Sequence, residues 1–521
     1  MSFFNINKTK MMVAAMTVVF GASVFSANAA LSRKPQDNLF YATSTDPLGL
    51  DPALVDDFDS GNIASNLYEG LMTFKKENTE VVPQLAKSYT VSDDGLTYTF
   101  KLREGVKFHD GTDFNAQAVK FNFDRQMPEN QVPKMSYASM VFNNVESSRV
   151  IDDYTFEVKL KKTQTQFLHN LAMSFAAPIV SPTALKKYNN NVNEHPVGTG
   201  PYQFVAWDRG QQVILTRFDD YWGEKAKTAN IIIRTIPETS ARIVALNNGE
   251  IDVAFGLDAN VIDQIKQGGN VITNTEGMNT NYMFFNVYDK QKSVVLDKEV
   301  RQALAMSVNV PELVQSLYKG YASVANTFLP TFVPGYSDKV KQIGYNPEKA
   351  KEILAKKGIK NINIISYTGA RQYNPVGGQV LAEAIQGYFA KVGVKSNLQV
   401  FDWATYKNKI LTADYDVAFM GWNGDNGDPD NFLALFADDD PINNTPRWVN
   451  QEYRDLIALG AATKEGAERN AVYEKAEFVL AREIPILPLS HARQMVAFRP
   501  NIEGLLYHKV GLLFFSDTVK K

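Results

Sequence analysis

The order of predicted elements in the second half of the chain constrains its fold more than any other feature. Residues 347–357 and 376–392 have the apolar spacing of amphipathic helices, and Asn346 is a good N-terminal cap for the first of them. The segments NINIISY (361–367) and SNLQVF (396–401) flank the second helix and are strand candidates. A strand, helix, strand order is typical of parallel strands joined by a crossover. The sequence therefore predicts an α/β fold with a helix-covered parallel sheet in this half.

The first half of the chain also mixes the two kinds of element. YTFKL (98–102) and TFEVKL (155–160) alternate apolar and polar residues, as half-buried strands do. Residues 116–125 have helical spacing instead. We therefore expect α/β structure along the whole chain.

Length and composition predict more than one hydrophobic core. The chain has 521 residues, of which 45% are hydrophobic and 12% aromatic, and single cores stop growing near about 250 to 300 residues. Two lobes or more are expected. The net charge is −3 and no basic run stands out, so nucleic acid and anionic membrane surfaces are poor candidate partners.

The first 29 residues have the pattern of a secretory signal peptide. Lys8 and Lys10 give a basic start, residues 11–24 are apolar, and Ala-Asn-Ala at 27–29 is a small-x-small cleavage signal. An uncleaved anchor is the alternative, but the apolar run is short for a bilayer. Because the chain has no cysteine, a lipid-attachment cysteine and disulfides are excluded. We predict a free periplasmic protein.

The loop GWNGDNGDPDN (421–431) concentrates three aspartates, Asp425, Asp428 and Asp430, behind a tryptophan. The spacing does not fit a calcium loop of the EF-hand type, because Gly427 and Pro429 occupy ligand positions. A glycosidase carboxylate pair is also a poor match, since such carboxylates come from different segments. A solvated turn is the simplest reading of acidic residues with Gly and Pro. A socket for a positively charged group remains the functional alternative.

Other catalytic chemistry finds little support in the sequence. The five histidines are scattered, with no closely spaced pair and no H-E-x-x-H. The Gly-rich stretches lack the Lys-Ser/Thr of a phosphate loop, and there is no G-x-S-x-G elbow. The sequence predicts no metal site and no catalytic residue.

Several stretches carry a resemblance to a known family. Residues 97–125 (TYTFKLREGVKFHDGTDFNAQAVKFNFDR) closely resemble the signature of periplasmic solute-binding proteins of peptide-type ABC transporters. Further matches are PVGTGPY (196–202), DDYWG (219–223), GMNTNYMFFN (277–286) and DKEVRQALAMSVN (297–309). They follow the family's order and cover nearly the whole mature chain.

The resemblance implies a two-lobed periplasmic binding protein of type II, cluster C, with a small extra domain in the first lobe. On this basis we expect lobe 1 to comprise residues 31–75, 196–280 and 496–521. Residues 76–195 would form the extra domain, and residues 281–495 would form lobe 2. The lobes would close over the ligand like a clamshell.

The resemblance also implies a ligand site. Asp425 matches the carboxylate with which dipeptide-binding members hold the ligand's α-amino group, and Arg371 in GARQYNP (369–375) matches the arginine that holds its carboxylate. Gly421, Trp422 and Gly424 belong to the Asp425 loop, with Trp422 as a flat wall.

From lobe 1 the resemblance adds a weaker signal in the stretch DSGN (59–62). It implies ligand contacts from three residues, Ser60, Gly61 and Asn62. Alternatively, Ser60 or Asn62 is the N-cap of a helix over residues 63–71.

The expected function is capture of dipeptides or short peptides and their delivery to an inner-membrane ABC permease, by a monomer without cofactor. The first 200 residues look at least as much like the glutathione-binding branch, and the cysteines of the dipeptide-binding group are absent. Glutathione, longer peptides, haem and a chelated metal therefore remain rival ligands. A secreted hydrolase is the alternative of another class.

Overall fold

The strand, helix, strand unit predicted in the second half is present. A computed structural model of the chain describes residues 34–290 and 292–521, so the predicted signal peptide lies outside the described residues. The strands Asn361–Tyr367 and Lys395–Phe401 are parallel and flank the helix Gly378–Lys391. Asn346 caps the helix Pro347–Lys356 by accepting a hydrogen bond from the Lys349 amide at 3.0 Å.

These strands belong to a seven-stranded sheet, here called the second sheet, that is mixed rather than parallel. Val417–Asn423 is parallel to Asn361–Tyr367, but its other neighbour, Asn279–Phe285, is antiparallel to it. The prediction of a parallel sheet is therefore right for only part of the sheet. Along the sheet the strands are ordered Thr275–Glu276, Ile486–Gln494, Asn279–Phe285, Val417–Asn423, Asn361–Tyr367 and Lys395–Phe401, with Ala322–Val324 beside Ile486–Gln494.

The first sheet also has seven strands and takes them from both ends of the chain. Asn38–Thr43 runs parallel to its two neighbours, and Ala497–Phe498 returns from the C-terminal end to complete one side. Its order is Val271–Ile272, Ala497–Phe498, Val253–Ala254, Asn38–Thr43, Asn230–Thr235, Gln212–Arg217 and Tyr202–Asp208.

A third, four-stranded antiparallel sheet is inserted in sequence between the strands Asn38–Thr43 and Tyr202–Asp208 of the first sheet. Both predicted strands of the first half are in it, and the helix Ala116–Gln126 lies where residues 116–125 predict one. The strand order is Ala86–Val91, Thr97–Leu102, Thr155–Leu160 and Val145–Asp152. Three short pairs are Met72–Phe74 with Val81–Pro83, Ile502–Glu503 with Val519–Lys520, and Leu506–Tyr507 with Leu513–Phe514.

Helices cover the sheets and fill the connections between strands. In the part of the chain that the structure describes, none of them is long and apolar enough to cross a membrane. The remaining α-helices are Phe58–Leu67, Ala138–Phe142, Phe167–Leu171, Pro182–Lys187, Thr239–Asn248, Ile262–Gln267, Lys298–Met306, Val310–Tyr318, Trp403–Thr412, Asp430–Leu433, Gln451–Ala462 and Ala467–Glu483.

Each sheet has its own large hydrophobic core. Side chains from Met278 to Leu489 dominate the core of the second sheet, and those of the third sheet lie between Ala53 and Ile179. The core of the first sheet spans the chain from Leu39 to Phe515. Separate cores are expected for a chain of this length.

Candidate ligand-binding site

A cavity of about 630 Å³ lies between segments attached to the first and second sheets. Ser44 and Thr45 follow the strand Asn38–Thr43 of the first sheet, and Gly424 follows the strand Val417–Asn423 of the second. Loops beyond the carboxyl ends of strands are the usual place for ligands in α/β folds. We call this space the main cavity.

The main cavity carries charges of both signs. Asp56 and Asp57 precede the helix Phe58–Leu67, and Asp59 lies in its first turn. Arg371, Arg493 and Lys509 provide positive charge. One oxygen of Asp57 caps that helix at the Ser60 amide, 2.8 Å away, while its other oxygen has no partner among the described residues. Such a wall suits a ligand that carries both charges.

Arg371 is held on the cavity wall by stacking rather than by an ion pair. Its guanidinium carbon lies 4.0 Å from the centre of the Trp403 ring, a cation–π arrangement. A tight turn fixes its backbone, because the Arg371 amide donates to the Asn374 carbonyl at 3.0 Å and the Asn374 amide donates back at 2.9 Å. No described carboxylate forms a salt bridge with Arg371. The N–H groups of its guanidinium are therefore available to bind an anion.

Asp425 is a buried carboxylate without a cation partner among the described residues. Tyr137 donates to its Oδ1 at 3.2 Å, and the Asn431 amide donates to its Oδ2 at 3.3 Å. Burial raises the pKa of Asp425 to about 6, although these two hydrogen bonds lower it in part. Asp425 is 7% exposed and lies next to Gly424, which does line the main cavity. A ligand ammonium would supply the missing positive charge.

The other two aspartates of the loop have structural partners. Asp428 accepts two hydrogen bonds from the buried Arg469 guanidinium, at 2.6 and 2.8 Å. Asp430 accepts from the Tyr473 hydroxyl at 3.0 Å and from Gln166 Nε2 at 2.8 Å. The loop is thus neither a simple solvated turn nor three equivalent ligands, and Asp425 is distinguished by its lack of a positive neighbour.

Gly421 and Gly424 let aromatic rings pack against the loop. A side chain on Gly421 would collide with the Tyr373 ring, and one on Gly424 would collide with Phe432 and Met278. Gly424 lines the main cavity, whereas Gly421 does not. Both glycines stay predictions as ligand contacts.

Trp422 does not line the main cavity but a smaller one of about 300 Å³. Its indole N–H donates to Asn431 Oδ1 at 3.1 Å, which fixes the ring. The same oxygen accepts the Asp425 amide at 3.0 Å. Trp422 and Asp425 are therefore held by one side chain, Asn431, which sequence reasoning did not single out.

Ser60, Gly61 and Asn62 lie in the first turns of the helix Phe58–Leu67, and their polar side chains have partners within the fold. Ser60 Oγ accepts the Leu48 amide at 3.0 Å, and Asn62 Oδ1 accepts the Leu513 amide at 2.9 Å. None of the three lines the main cavity. The alternative that Ser60 or Asn62 caps a helix over residues 63–71 is wrong, because the helix starts at Phe58 and its cap is Asp57. Their role as ligand contacts stays a prediction.

The charged residues of the main cavity that sequence reasoning missed are Asp56, Asp57, Arg493 and Lys509. They come from loops far apart in sequence, and no local motif marks them. Asp56 and Asp57 lie within three positions of the stretch DSGN (59–62), which itself contains the cavity residue Asp59, and this proximity was the one available signal.

Two sheets that meet at a charged cavity, lined from both sides, define the two-lobed class of binding proteins. Comparison with known sequences gives the family. The model described as bacterial extracellular solute-binding proteins, family 5 Middle, matches residues 80–444. The chain belongs to this family, and the resemblance drawn from its motifs is confirmed.

Individual relatives extend over nearly the whole chain. The dipeptide-binding protein of Escherichia coli (strain K12) is 32% identical, covering 96% of this chain and 97% of the relative. Heme-binding protein A of Haemophilus influenzae is also 32% identical, with 97% of each chain covered. The structure of the periplasmic binding protein DppA from Helicobacter pylori in complex with peptide STSA is 30% identical, with a TM-score of 0.77 and coverage of 93% and 98%. These likenesses confirm the predicted α/β, two-lobed fold.

Proposed function

We propose that the protein binds short peptides, dipeptides foremost, between its two lobes and delivers them to an ABC import permease. The observation that carries the proposal is Asp425, a buried carboxylate without a described cation partner, beside a cavity where the Arg371 guanidinium has no described anion partner. A free peptide has an ammonium and a carboxylate, which these two groups complement. The dipeptide-binding relative supports the same ligand class.

The organisation expected from the sequence forms part of this proposal. Lobe 1 comprises residues 31–75, 196–280 and 496–521, the extra domain residues 76–195, and lobe 2 residues 281–495. The three separate hydrophobic cores support such a division. Four residues of segment 76–195, however, pack in the core of the first sheet: Val180, Ala184, Leu185 and Val192.

We further propose that the protein acts as a monomeric carrier in the periplasm, after removal of residues 1–29, and not as an enzyme. A solute-binding family supports a carrier role. Peptides incubated with the protein should be recovered intact, and their cleavage would favour the hydrolase alternative instead.

Ligand length distinguishes dipeptides from the rivals. With the amine at Asp425 and the carboxylate at Arg371, the distance between the two charges is set by lobe 2, and a longer chain leaves one end unpaired. A relative has been solved with the peptide STSA and another is named for heme, so longer peptides and haem are the outcomes to exclude, with glutathione and a chelated metal.

Calorimetry with end-blocked dipeptides tests this assignment. Because an unpaired buried charge costs several kcal/mol, amidating the C-terminus and acetylating the N-terminus should each weaken binding by a factor of 100 or more, roughly. In Arg371→Ala the penalty for amidation should disappear while the penalty for acetylation remains. Equal binding of free and amidated dipeptides by the unmodified protein would remove Arg371 from the site, and tighter binding of tetrapeptides, haem or glutathione would reassign the ligand.

A further inference from the structure

The wall of the smaller cavity beside Trp422 combines apolar side chains with polar ones, and none of those described carries a positive charge. Amide side chains of Gln166, Asn170 and Asn431 line it, together with the carboxylates of Asp430 and Asp438. No lysine or arginine is among the described residues that line this space. The Trp422 ring forms part of its wall. An environment of acceptors with a flat aromatic face suits a cation.

Gln166 gives this cavity an unsatisfied acceptor. The residue is only 8% exposed, and its Nε2 donates to Asp430 at 2.8 Å. That bond fixes the carboxamide, because an ionised carboxylate only accepts. Gln166 Oε1 is buried and has no hydrogen-bond partner among the described residues. Buried acceptors are paired in the great majority of cases, so this oxygen indicates a donor from outside the chain.

One side chain connects this cavity to the proposed amine socket. Asn431 lines the cavity, and it also donates to Asp425 Oδ2 at 3.3 Å and accepts the Trp422 indole N–H at 3.1 Å. The smaller cavity and the proposed amine socket are therefore neighbours that share the side chain of Asn431.

We propose that the smaller cavity receives the side chain of the ligand's N-terminal residue and selects a basic one, arginine or lysine. The proposal rests on the proposed function, since it takes the peptide's amine to be bound at Asp425. The guanidinium or ammonium donates to Gln166 Oε1 and to the carboxylates of Asp430 and Asp438, with Trp422 beside it. A cavity of about 300 Å³ has room for such a side chain.

The positive charge of a basic ligand side chain would also offset the negative charge of the smaller cavity. Burial raises the pKa of Asp430 to about 6, and the nearby negative charge of Asp428 adds to the rise, whereas the Tyr473 hydrogen bond and the charges of Arg469 and Lys162 lower it in part. A cation in the cavity reverses this effect and keeps Asp430 ionised. An apolar side chain of the same length provides no such compensation.

The test compares dipeptides that differ only in the first side chain. Arginyl-alanine, norleucyl-alanine and alanyl-alanine are titrated into the full mature protein by calorimetry. We expect arginyl-alanine to bind at least about tenfold more tightly than norleucyl-alanine, which has a similar unbranched stem without the charge. Asp438→Asn and Gln166→Leu should each reduce this ratio by about threefold or more, through loss of a charge and of an acceptor respectively.

The neighbouring residue provides a matched control. Asp439 has a side chain that is 87% exposed and is not among the residues lining the cavity, so Asp439→Asn should leave the ratio unchanged. Asp438→Asn keeps an oxygen acceptor and serves alone if Gln166→Leu does not fold. Equal affinities for the arginyl and norleucyl dipeptides, or a ratio unchanged in Asp438→Asn, would overturn the proposal while leaving dipeptide binding intact. No binding of any of the three dipeptides would overturn the proposed function and this inference together.

Discussion

Asp425 is expected to lower the stability of the ligand-free protein and to strengthen the binding of a dipeptide. Its pKa of about 6 lies above the ordinary value of 3.8 because the carboxylate is buried without a cation. At neutral pH this raised pKa corresponds to about 3 kcal/mol of lost stability, at roughly 1.4 kcal/mol for each pKa unit. Asp425→Asn should therefore hold or increase the free energy of unfolding of the ligand-free protein, measured in urea. Dipeptide affinity should fall by about 2 to 5 kcal/mol, measured by calorimetry.

The pH dependence of the same variant gives its control. Because the pKa of Asp425 is raised in the folded state, the loss of stability is present above about pH 6 and disappears as the pH falls toward the unfolded value of 3.8. The difference in the free energy of unfolding between Asp425→Asn and the unmodified protein should shrink over that range. Because the other buried carboxylates are present in both proteins, this difference reports on Asp425 alone. Asp455→Asn, at an exposed aspartate, should change neither quantity. Unchanged affinity in Asp425→Asn would place the peptide amine elsewhere.

At the scale of elements, the helix Ala467–Glu483 holds the acidic loop through Arg469. Removing Arg469 leaves Asp428 buried and unpaired, so Arg469→Met should lower the free energy of unfolding by about 3 to 5 kcal/mol. Arg482 lies on the same helix and pairs with Glu452, but both side chains are about half exposed. Arg482→Met should therefore cost less than about 1 kcal/mol. Equal losses in the two variants, measured by urea unfolding, would show that the buried pair does not anchor the loop.

Helices and strands could be predicted from the sequence where the pattern that indicates them lies within the element itself. The apolar periodicity of residues 347–401 predicted the helices and parallel strands correctly. The antiparallel strands Asn279–Phe285 and Ile486–Gln494 that make the sheet mixed come from distant segments, and their pairing has no local signal. The same distinction applies to the residues of the site. Arg371 and Gly424 line the main cavity and were predicted because they lie in recognisable motifs. Arg493 also lines it, but no local motif marks this residue, and only the tertiary fold brings it there.

At the scale of the whole molecule, a cavity lined from both sheets implies that ligand binding joins them. Peptide at a thousandfold excess over its dissociation constant should stabilise the protein by about 4 kcal/mol and raise its unfolding temperature. Small-angle scattering should show a more compact particle at saturation, because bound ligand favours the closed arrangement. Asp425→Asn at the same peptide concentration should show a smaller shift in both measurements. Tight binding without compaction would contradict closure.

The return of the C-terminal segment has a consequence for how the chain is made. Ala497–Phe498 joins Val253–Ala254 to Val271–Ile272 in the first sheet, and the Leu513 amide satisfies Asn62, 451 positions earlier. The ribosome must therefore finish almost the whole polypeptide before the N-terminal sheet can close. Contacts so distant in sequence form slowly. A growing chain therefore leaves the first sheet without its C-terminal strand until synthesis is nearly complete.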